Sequence, residues 1–286
     1  MNYVWRKGNL IERSNAEVSF EDRGYYFGDG VYEVVRLYNG ICFQLEEHYK
    51  RFVRSTEEID IPIPFDLLQF EDMINSLSEK NNVSDGYIYI QITRGEQERN
   101  HLYERGLDPV VTAFAKEVPI PFEKQKNGVA LYALEDIRWL RCDIKTINLL
   151  GNVMAKRKAE DNACDESLQH RGTTVTEGSS TNIFIVKDGA VITHPANELI
   201  LNGITRLFIQ ELAEKHQVPF LEKTFSVEEA SNADEMFISS TTMEITPVVR
   251  IEGSFQADYS IGPVTRQLQE AFSEAVRPHQ KSSHLK

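Results

Sequence analysis

Two runs rich in β-branched and apolar residues flank Asn39-Gly40 in VYEVVRLYNGICF. This pattern predicts a β-hairpin closed by a type I′ turn. The period then changes. In LEEHYKRFVRSTEEI the apolar positions Leu45, Tyr49, Phe52 and Val53 recur at helical spacing, and FDLLQFEDMINSLSEKN reads as a second amphipathic helix. YIYIQIT and VVTAFAK read as strands. EVPIPFEKQKNG, residues 117–128, carries two prolines and a polar run and has the composition of a linker. Beyond it come a strand (VALYALE), the segment RWLRCDIK, a helix from about Leu149 to Ala163, and a hairpin NIFIV-KDG-AVITH turning at Asp188-Gly189. A helix begins just after Gly203, DEMFISSTTMEITP runs as a strand into a polar turn, and a last helix near Val264–Ala275 precedes a basic tail. Strands and helices mix without regular βαβ alternation, which predicts an α+β fold. The implied division is a small N-terminal α/β domain over 1–117, a linker over 118–126 and a larger C-terminal domain over 127–286. No internal repeat interrupts this order.

Composition narrows the function. The 286 residues carry 31 basic and 44 acidic side chains, a net charge of −13, which argues against nucleic-acid binding because that needs a basic face. No segment has the length or apolarity of a membrane span, and MNYVWRKGNLIERSN lacks the apolar core of a signal peptide. Cys42, Cys142 and Cys164 are far apart and form no CxxC pair, which predicts reduced thiols, a cytoplasmic location and no zinc ribbon. FGDG lacks the third glycine of a dinucleotide fingerprint. There is no GxxxxGK[ST] and no HExxH, and no histidine stands at metal-ligand spacing, so no metal is expected.

Several residues stand out as candidates for chemistry. Lys145 lies between Ile144 and Ile147 at the start of an apolar run. Its ordinary role would be to lay its stem on apolar surface with the ammonium in water; its chemical role would be a desolvated amine able to attack an aldehyde. Glu177 in TVTEGSSTN follows a β-branched strand. It is either a solvated turn residue or a carboxylate that keeps a heterocyclic nitrogen protonated. Gly203-Ile204-Thr205 opens a helix, and Ser239-Ser240-Thr241-Thr242 clusters hydroxyls and turn amides. Each is a plain cap or an anion site, and Arg51 could complete a phosphate cup. Arg99 and His101, in RGEQERNHLY, are either a solvated loop or a carboxylate clamp. An amine, a carboxylate, two anion sites and a clamp together suit an enzyme that uses pyridoxal phosphate on amino acids.

EDRGYYFGDGVYEVV, EDIRWLRCDIK with NLLGNV, TVTEGSS, THPAN, GITR and STT-EITPV together resemble the fold-type IV pyridoxal phosphate enzymes, the family of D-amino acid and branched-chain aminotransferases, over nearly the whole chain. The resemblance implies a two-domain enzyme with pyridoxal 5′-phosphate in the cleft between domains. It makes Lys145 the Schiff-base lysine and Glu177 the carboxylate at the pyridine nitrogen. Arg51, Ile204, Thr205 and Thr241 become the phosphate cup, and Ser180 and Leu201 line the ring. Tyr32, Arg99 and His101 become the trap for the substrate carboxylate, with the Arg-x-His pair supplied by the partner of a homodimer. The implied reaction is ping-pong transamination of D-amino acids, D-alanine and 2-oxoglutarate giving pyruvate and D-glutamate. An L-branched-chain aminotransferase or an aminodeoxychorismate lyase of the same family is the alternative. A non-catalytic phosphate- or sugar-binding protein would have no use for Lys145 and Glu177 together. Met243 stands where the family pattern suggests a small polar residue, which bears on substrate preference. Trp139 and the neighbouring arginines are expected to shape the wall around Lys145.

Overall fold

The computed structural model describes residues 2–280. It falls into two compact units. The first runs to Pro119 and takes in Ile144–Asn148; the second comprises Ile120–Asp143 and Leu149–Arg277. The chain thus returns to the first unit for five residues that a division at 117–127 assigns to the second domain.

The first unit contains β1 (Tyr3–Arg6), β2 (Asn9–Glu12), α1 (Arg23–Phe27), β3 (Gly30–Tyr38), β4 (Ile41–Cys42), α2 (Leu45–Glu57), α3 (Leu67–Asn81), β5 (Gly86–Thr93) and β6 (Val110–Glu117). Its six strands form a sheet in the order β2-β1-β6-β5-β3-β4. The pairings within it are antiparallel. The β3–β4 turn is the one the Asn-Gly pair predicts: Asn39 (φ 50°) and Gly40 (φ 78°) both take the left-handed conformation that a type I′ turn requires. One face of the sheet, with Val31, Val35, Leu37, Ile88, Ile90 and Ile92, joins Phe52 of α2 and Phe70, Met73, Ile74 and Leu77 of α3 in one core. Phe52, Phe65 and Phe70 stack within it at centroid distances of 5.8–6.1 Å. Asp66 and Gln69 form a capping box that starts α3.

The second unit contains α4 (Phe122–Asn127), β7 (Val129–Glu135), α5 (Leu150–Asp161), β8 (Glu166–Arg171), β9 (Thr174–Val175), β10 (Asn182–Lys187), β11 (Ala190–Thr193), α6 (Ile204–Lys215), β12 (Phe220–Glu222), α7 (Val227–Ser231), β13 (Glu235–Ser240), β14 (Glu244–Gly253), β15 (Ala257–Asp258) and α8 (Pro263–Gln280). The expected linker therefore carries a short helix. The main sheet runs β12-β11-β10-β13-β14-β7-β8-β9, with β15 on β14. It mixes parallel pairs (β7 with β8 and with β14, and β11 with β12) and antiparallel ones, as an α+β fold allows. Asp188 (φ 50°) and Gly189 (φ 78°) close the β10–β11 hairpin. The last helix extends beyond Ala275 to Gln280, and the rest of the basic tail lies outside the described residues. Among the described residues no helix is long and apolar enough to cross a membrane, and no cluster of His, Cys, Asp or Glu could hold a metal ion. The three cysteines are unpaired.

Candidate functional site

Lys145 belongs to the first unit because its segment runs along the edge of β3. The Tyr32 N–H donates to the Lys145 carbonyl (2.9 Å) and the Ile147 N–H to the Gly30 carbonyl (3.0 Å), while Val31 bridges Thr146. Ile144 sinks into the core under the sheet. Alternation then sends the Lys145 side chain to the opposite face, where it is half-buried with Nζ 4.1 Å from the centre of the Tyr32 ring. Tyr32 in turn stacks on Tyr89 (5.4 Å) and Tyr89 on Phe114 (5.0 Å). Electron-rich rings thus provide the floor beneath the amine.

Behind β3 lies a polar cluster within the apolar core. Glu33 is fully buried. Its carboxylate accepts from Arg51 Nε (3.0 Å) and Nη2 (2.6 Å) and shares a hydrogen bond with His48 Nδ1 (3.0 Å). Burial alone would raise the Glu33 carboxyl, but the Arg51 guanidinium and His48 outweigh it and hold it well below the usual carboxylate range. Burial pushes His48 down, against the pull of Glu33, with Arg51 and Lys145 adding to the fall. Arg51 and His48 sit three residues apart on α2, so one helix face delivers both to the same acceptor.

Arg99 and His101 stand on an exposed loop, both against the same ring: the Arg99 guanidinium lies 5.2 Å and the His101 ring 5.5 Å from the centre of Phe27. The loop is anchored by Arg23, which donates to the Asn100 carbonyl (2.6 Å), the His101 carbonyl (3.4 Å) and Asp29 (2.8 Å). Arg94 grips the same Asp29 through two nitrogens. Val18, Phe20, Tyr25 and Leu102, near this loop in sequence or carried by α1 and the chain before it, are all exposed.

In the second unit the candidates gather around Glu177. Arg138 Nη1 donates to Oε1 (2.6 Å), while Asn182 Nδ2 (3.2 Å) and the Leu201 N–H (3.0 Å) donate to Oε2. Arg138 also grips Asp136 through Nε and Nη2, and Asp136 accepts from Arg171 and Thr176. Burial lifts the Glu177 carboxyl above its ordinary value, while Arg138 and the Leu201 amide oppose it. At Arg138 burial works against the charge, and the same carboxylates outweigh it and raise its basicity. With three N–H donors on its two oxygens, the ionised form of Glu177 is the one this geometry accommodates. A carboxylate offers about four lone-pair positions, so one more donor, such as a protonated ring nitrogen, fits.

The second feature of this unit is the start of α6. Gly203 precedes it with no side-chain cap, so the first-turn amides around the buried Ile204 and Thr205 are not taken by a capping side chain and are of the kind an anion site uses. A Cβ on Gly203 would collide with Asn182 Oδ1, so only glycine lets the helix start this close to the residue that holds Glu177. Asn182 ties the same stretch down through the Leu201 carbonyl (2.8 Å). Thr241 sits half-buried in the β13–β14 turn, which closes on itself: the Met243 N–H donates to Ser240 Oγ (3.1 Å) and Thr246 Oγ1 to the Met243 carbonyl. The Met243 side chain packs on the core of this unit, which gives it a structural role. Ser180 is exposed and donates through Oγ to Glu166 (3.0 Å), which also accepts from the Ser179 hydroxyl and amide.

The sequence alone did not single out Glu33, His48 or Asn182, and it gave Arg138 no carboxylate partner. A glutamate in the inward register of β3 between Val31 and Val35 was the available signal, because a carboxylate on a core face needs a cation. Of the arginines near Lys145 in sequence, Arg138 donates to Glu177 and Asp136, and Arg141 pairs with Asp143. Trp139 is 45% exposed.

The family profile described as Amino-transferase class IV matches residues 30–251. A D-alanine aminotransferase of Staphylococcus haemolyticus is 49% identical over 277 residues, 96% of this chain and 98% of that protein. Among solved structures, the branched-chain aminotransferase of Thermoproteus uzoniensis with norvaline superimposes with a TM-score of 0.89 at 27% identity, covering 99% of this chain and 97% of that one. The T.th. branched-chain amino acid aminotransferase complexed with N-(5′-phosphopyridoxyl)-L-glutamate superimposes with a TM-score of 0.86 at 26% identity, covering 98% and 95%.

Proposed function

The chain belongs to the class IV aminotransferase family, and from this premise we propose that it transfers amino groups between D-amino acids and 2-oxo acids, with D-alanine and 2-oxoglutarate giving pyruvate and D-glutamate. The observation that carries the reading is the Glu177 carboxylate, buried and fixed by three N–H donors, which leaves about one of its four lone-pair positions for a further donor. Similarity to D-alanine aminotransferases at 49% identity, against 26–27% for the branched-chain enzymes, favours the D-amino acid branch over the L-branched-chain one.

The residues fit pyridoxal 5′-phosphate, which when bound supplies the electron sink that makes the substrate Cα proton labile. Lys145 is the covalent anchor through Nζ. As a free amine, Lys145 Nζ would carry the proton away from the substrate Cα and deliver it again on the same face, acting as base and then acid. Glu177, held by Arg138, Asn182 and Leu201, would keep the ring nitrogen protonated. The amides at Ile204 and Thr205, with Thr241 and Arg51, hold the phosphate, and Ser180 and Leu201 line the ring. Tyr32, Arg99 and His101 hold the substrate carboxylate. In this reading Arg99 and His101 serve the active site of a second copy. Their exposure, on a loop clamped by Arg23 and accompanied by the exposed apolar side chains of Val18, Phe20, Tyr25 and Leu102, supports a homodimer. With three unpaired cysteines, the reading expects a reducing, cytoplasmic setting.

The test is the absorbance spectrum of the purified, cofactor-loaded protein on addition of D-alanine and, separately, L-alanine. Bleaching of the visible band by the D-isomer alone is expected; bleaching by the L-isomer alone overturns the assignment to D-amino acids. Mixing inactive Lys145→Ala and Arg99→Ala chains should regain activity through hybrid dimers, and no recovery after verified subunit exchange would refute the shared site.

A further inference from the structure

Arg36 and Arg206 are the largest of the fully buried side chains, each 1% exposed, and Arg206 is bonded to Glu222 and the His194 carbonyl. The Nε, Nη1 and Nη2 of Arg36 are all buried, and among the described residues none has a hydrogen-bond acceptor. The Tyr38 ring lies 5.2 Å from its Cζ; it faces the cation but offers no ring lone pair to its five N–H groups. A guanidinium does not shed its proton to escape such a position, and a buried charge without a partner is among the costliest arrangements a fold can keep. The contrast with the other buried arginines is direct. Arg23 and Arg94 share Asp29, Arg51 holds Glu33, and Arg138 holds Asp136 and Glu177. Arg36 lacks what each of these has.

Its place in the strand says what the missing acceptor is for. Alternation along β3 puts Arg36 on the face of Tyr32 and Val34, opposite the face that Val31, Val35 and Leu37 give to the core. This is also the face where the Lys145 amine rests over the Tyr32 ring. Tyr32 and Arg36 are four residues apart, about 13 Å along an extended strand. The arginine stem and the five-carbon backbone of a glutamate-like molecule can share that span. We propose that Arg36 receives the second carboxylate of a dicarboxylic substrate, a 2-oxo diacid or the corresponding D-amino diacid, while Tyr32 and the Arg99–His101 pair take the first. The inference rests on the functional reading above and deepens it: Arg36 is the reason that one protein serves both a small apolar donor and an acidic acceptor. In an enclosed setting a bidentate guanidinium–carboxylate pair is strong and geometrically selective, and a substrate without the second carboxylate leaves the cation as it stands in the free protein.

The experiment compares wild type, Arg36→Met and Arg36→Lys, each loaded with pyridoxal phosphate. Two acceptors are used, 2-oxoglutarate and pyruvate, and the binding of glutarate and of butyrate is followed by calorimetry. The ratio of the KM for 2-oxoglutarate to that for pyruvate should rise roughly ten- to hundred-fold in Arg36→Met, the worth of one charged hydrogen-bonded contact. The wild-type preference for glutarate over butyrate should vanish in that variant and survive in part in Arg36→Lys. If Arg36→Met keeps the wild-type ratio and the glutarate preference, or if it weakens both acceptors and both ligands equally, Arg36 is a structural residue and the proposal is overturned. Should Arg36→Met not fold, Arg36→Gln carries the same readouts. Failure of wild type to bleach with D-alanine would instead strike at the functional reading, while glutarate binding would still report on Arg36.

Discussion

Substituting Glu33 by glutamine keeps the shape of the side chain and removes only its charge, so it isolates what the buried cluster behind β3 contributes. Glu33 is fully enclosed, and two cationic or potentially cationic groups, Arg51 and His48, converge on it through three hydrogen bonds of 2.6–3.0 Å. Removing one partner of a buried pair strands the other, at about 3–5 kcal/mol. The glutamine NH2 also turns a donor toward groups that need an acceptor. A unit of this size loses roughly 3–5 °C of melting temperature per kcal/mol, so Glu33→Gln should melt about 10–20 °C below wild type in differential scanning calorimetry. The control is Glu33→Leu with Arg51→Met, which exchanges the ion pair for apolar side chains of similar bulk. Stability should return to within about 2 kcal/mol of wild type, while affinity for pyridoxal phosphate should stay low because the proposed phosphate ligand at Arg51 is gone. A Glu33→Gln protein that melts within about 2 °C of wild type, by the same scale, would refute the reasoning. So would a double variant less stable than either single one.

Three further outcomes are expected. His48 and Glu33 both have lowered folded pKa values, so each contributes stability above its unfolded value that is lost as pH falls. The urea midpoint should therefore drop as pH falls below about 6.5 through His48 and again below about 4.5 through Glu33, and a His48→Gln variant that keeps the first step would count against this. Arg138→Met should leave the buried Glu177 with no cation on it, Arg171 reaching only Asp136 of the two carboxylates, lowering turnover at least ten-fold and loosening pyridoxal phosphate in equilibrium dialysis; wild-type retention of cofactor would contradict this role of Arg138. Gly203→Ala drives a Cβ into Asn182 Oδ1 and should weaken inorganic phosphate binding in calorimetry more than it lowers the melting temperature, whereas equal phosphate affinity would argue against the α6 site.

The local architecture was readable where the signal was local. Asn39-Gly40 and Asp188-Gly189 announce their turns because few other pairs tolerate two consecutive positive φ values, and the core faces of α2 and α3 follow from apolar spacing. At 118–126 prolines and polar residues pointed to a linker; the boundary between the two units falls there, after Pro119, and composition gave no sign of the short helix Phe122–Asn127. The polar clusters were the hardest to see. Glu33 meets Arg51 across 18 positions, and Arg138 meets Glu177 across 39. No periodicity links such pairs; only the rule that a buried charge needs a partner hints that one exists. Arg36 shows the limit of that rule, since nothing in the composition of β3 marks it as the buried arginine without an acceptor.

The five residues Ile144–Asn148 have a consequence for how such proteins can be recombined. The chain visits the second unit, comes back to lay Lys145 along β3, and leaves again. A fragment ending at Pro119 would carry Tyr32, Arg51 and the Arg99 loop but not Lys145, and one beginning at Ile120 would carry Lys145 without the strand that seats it. Neither unit can be inherited, transplanted or shuffled as a module with Lys145 seated on its strand. Hybrids of two relatives need three crossover points to keep each lysine with its own strand, so lineages can diversify the substrate pocket by point substitution far more readily than by exchange of whole domains.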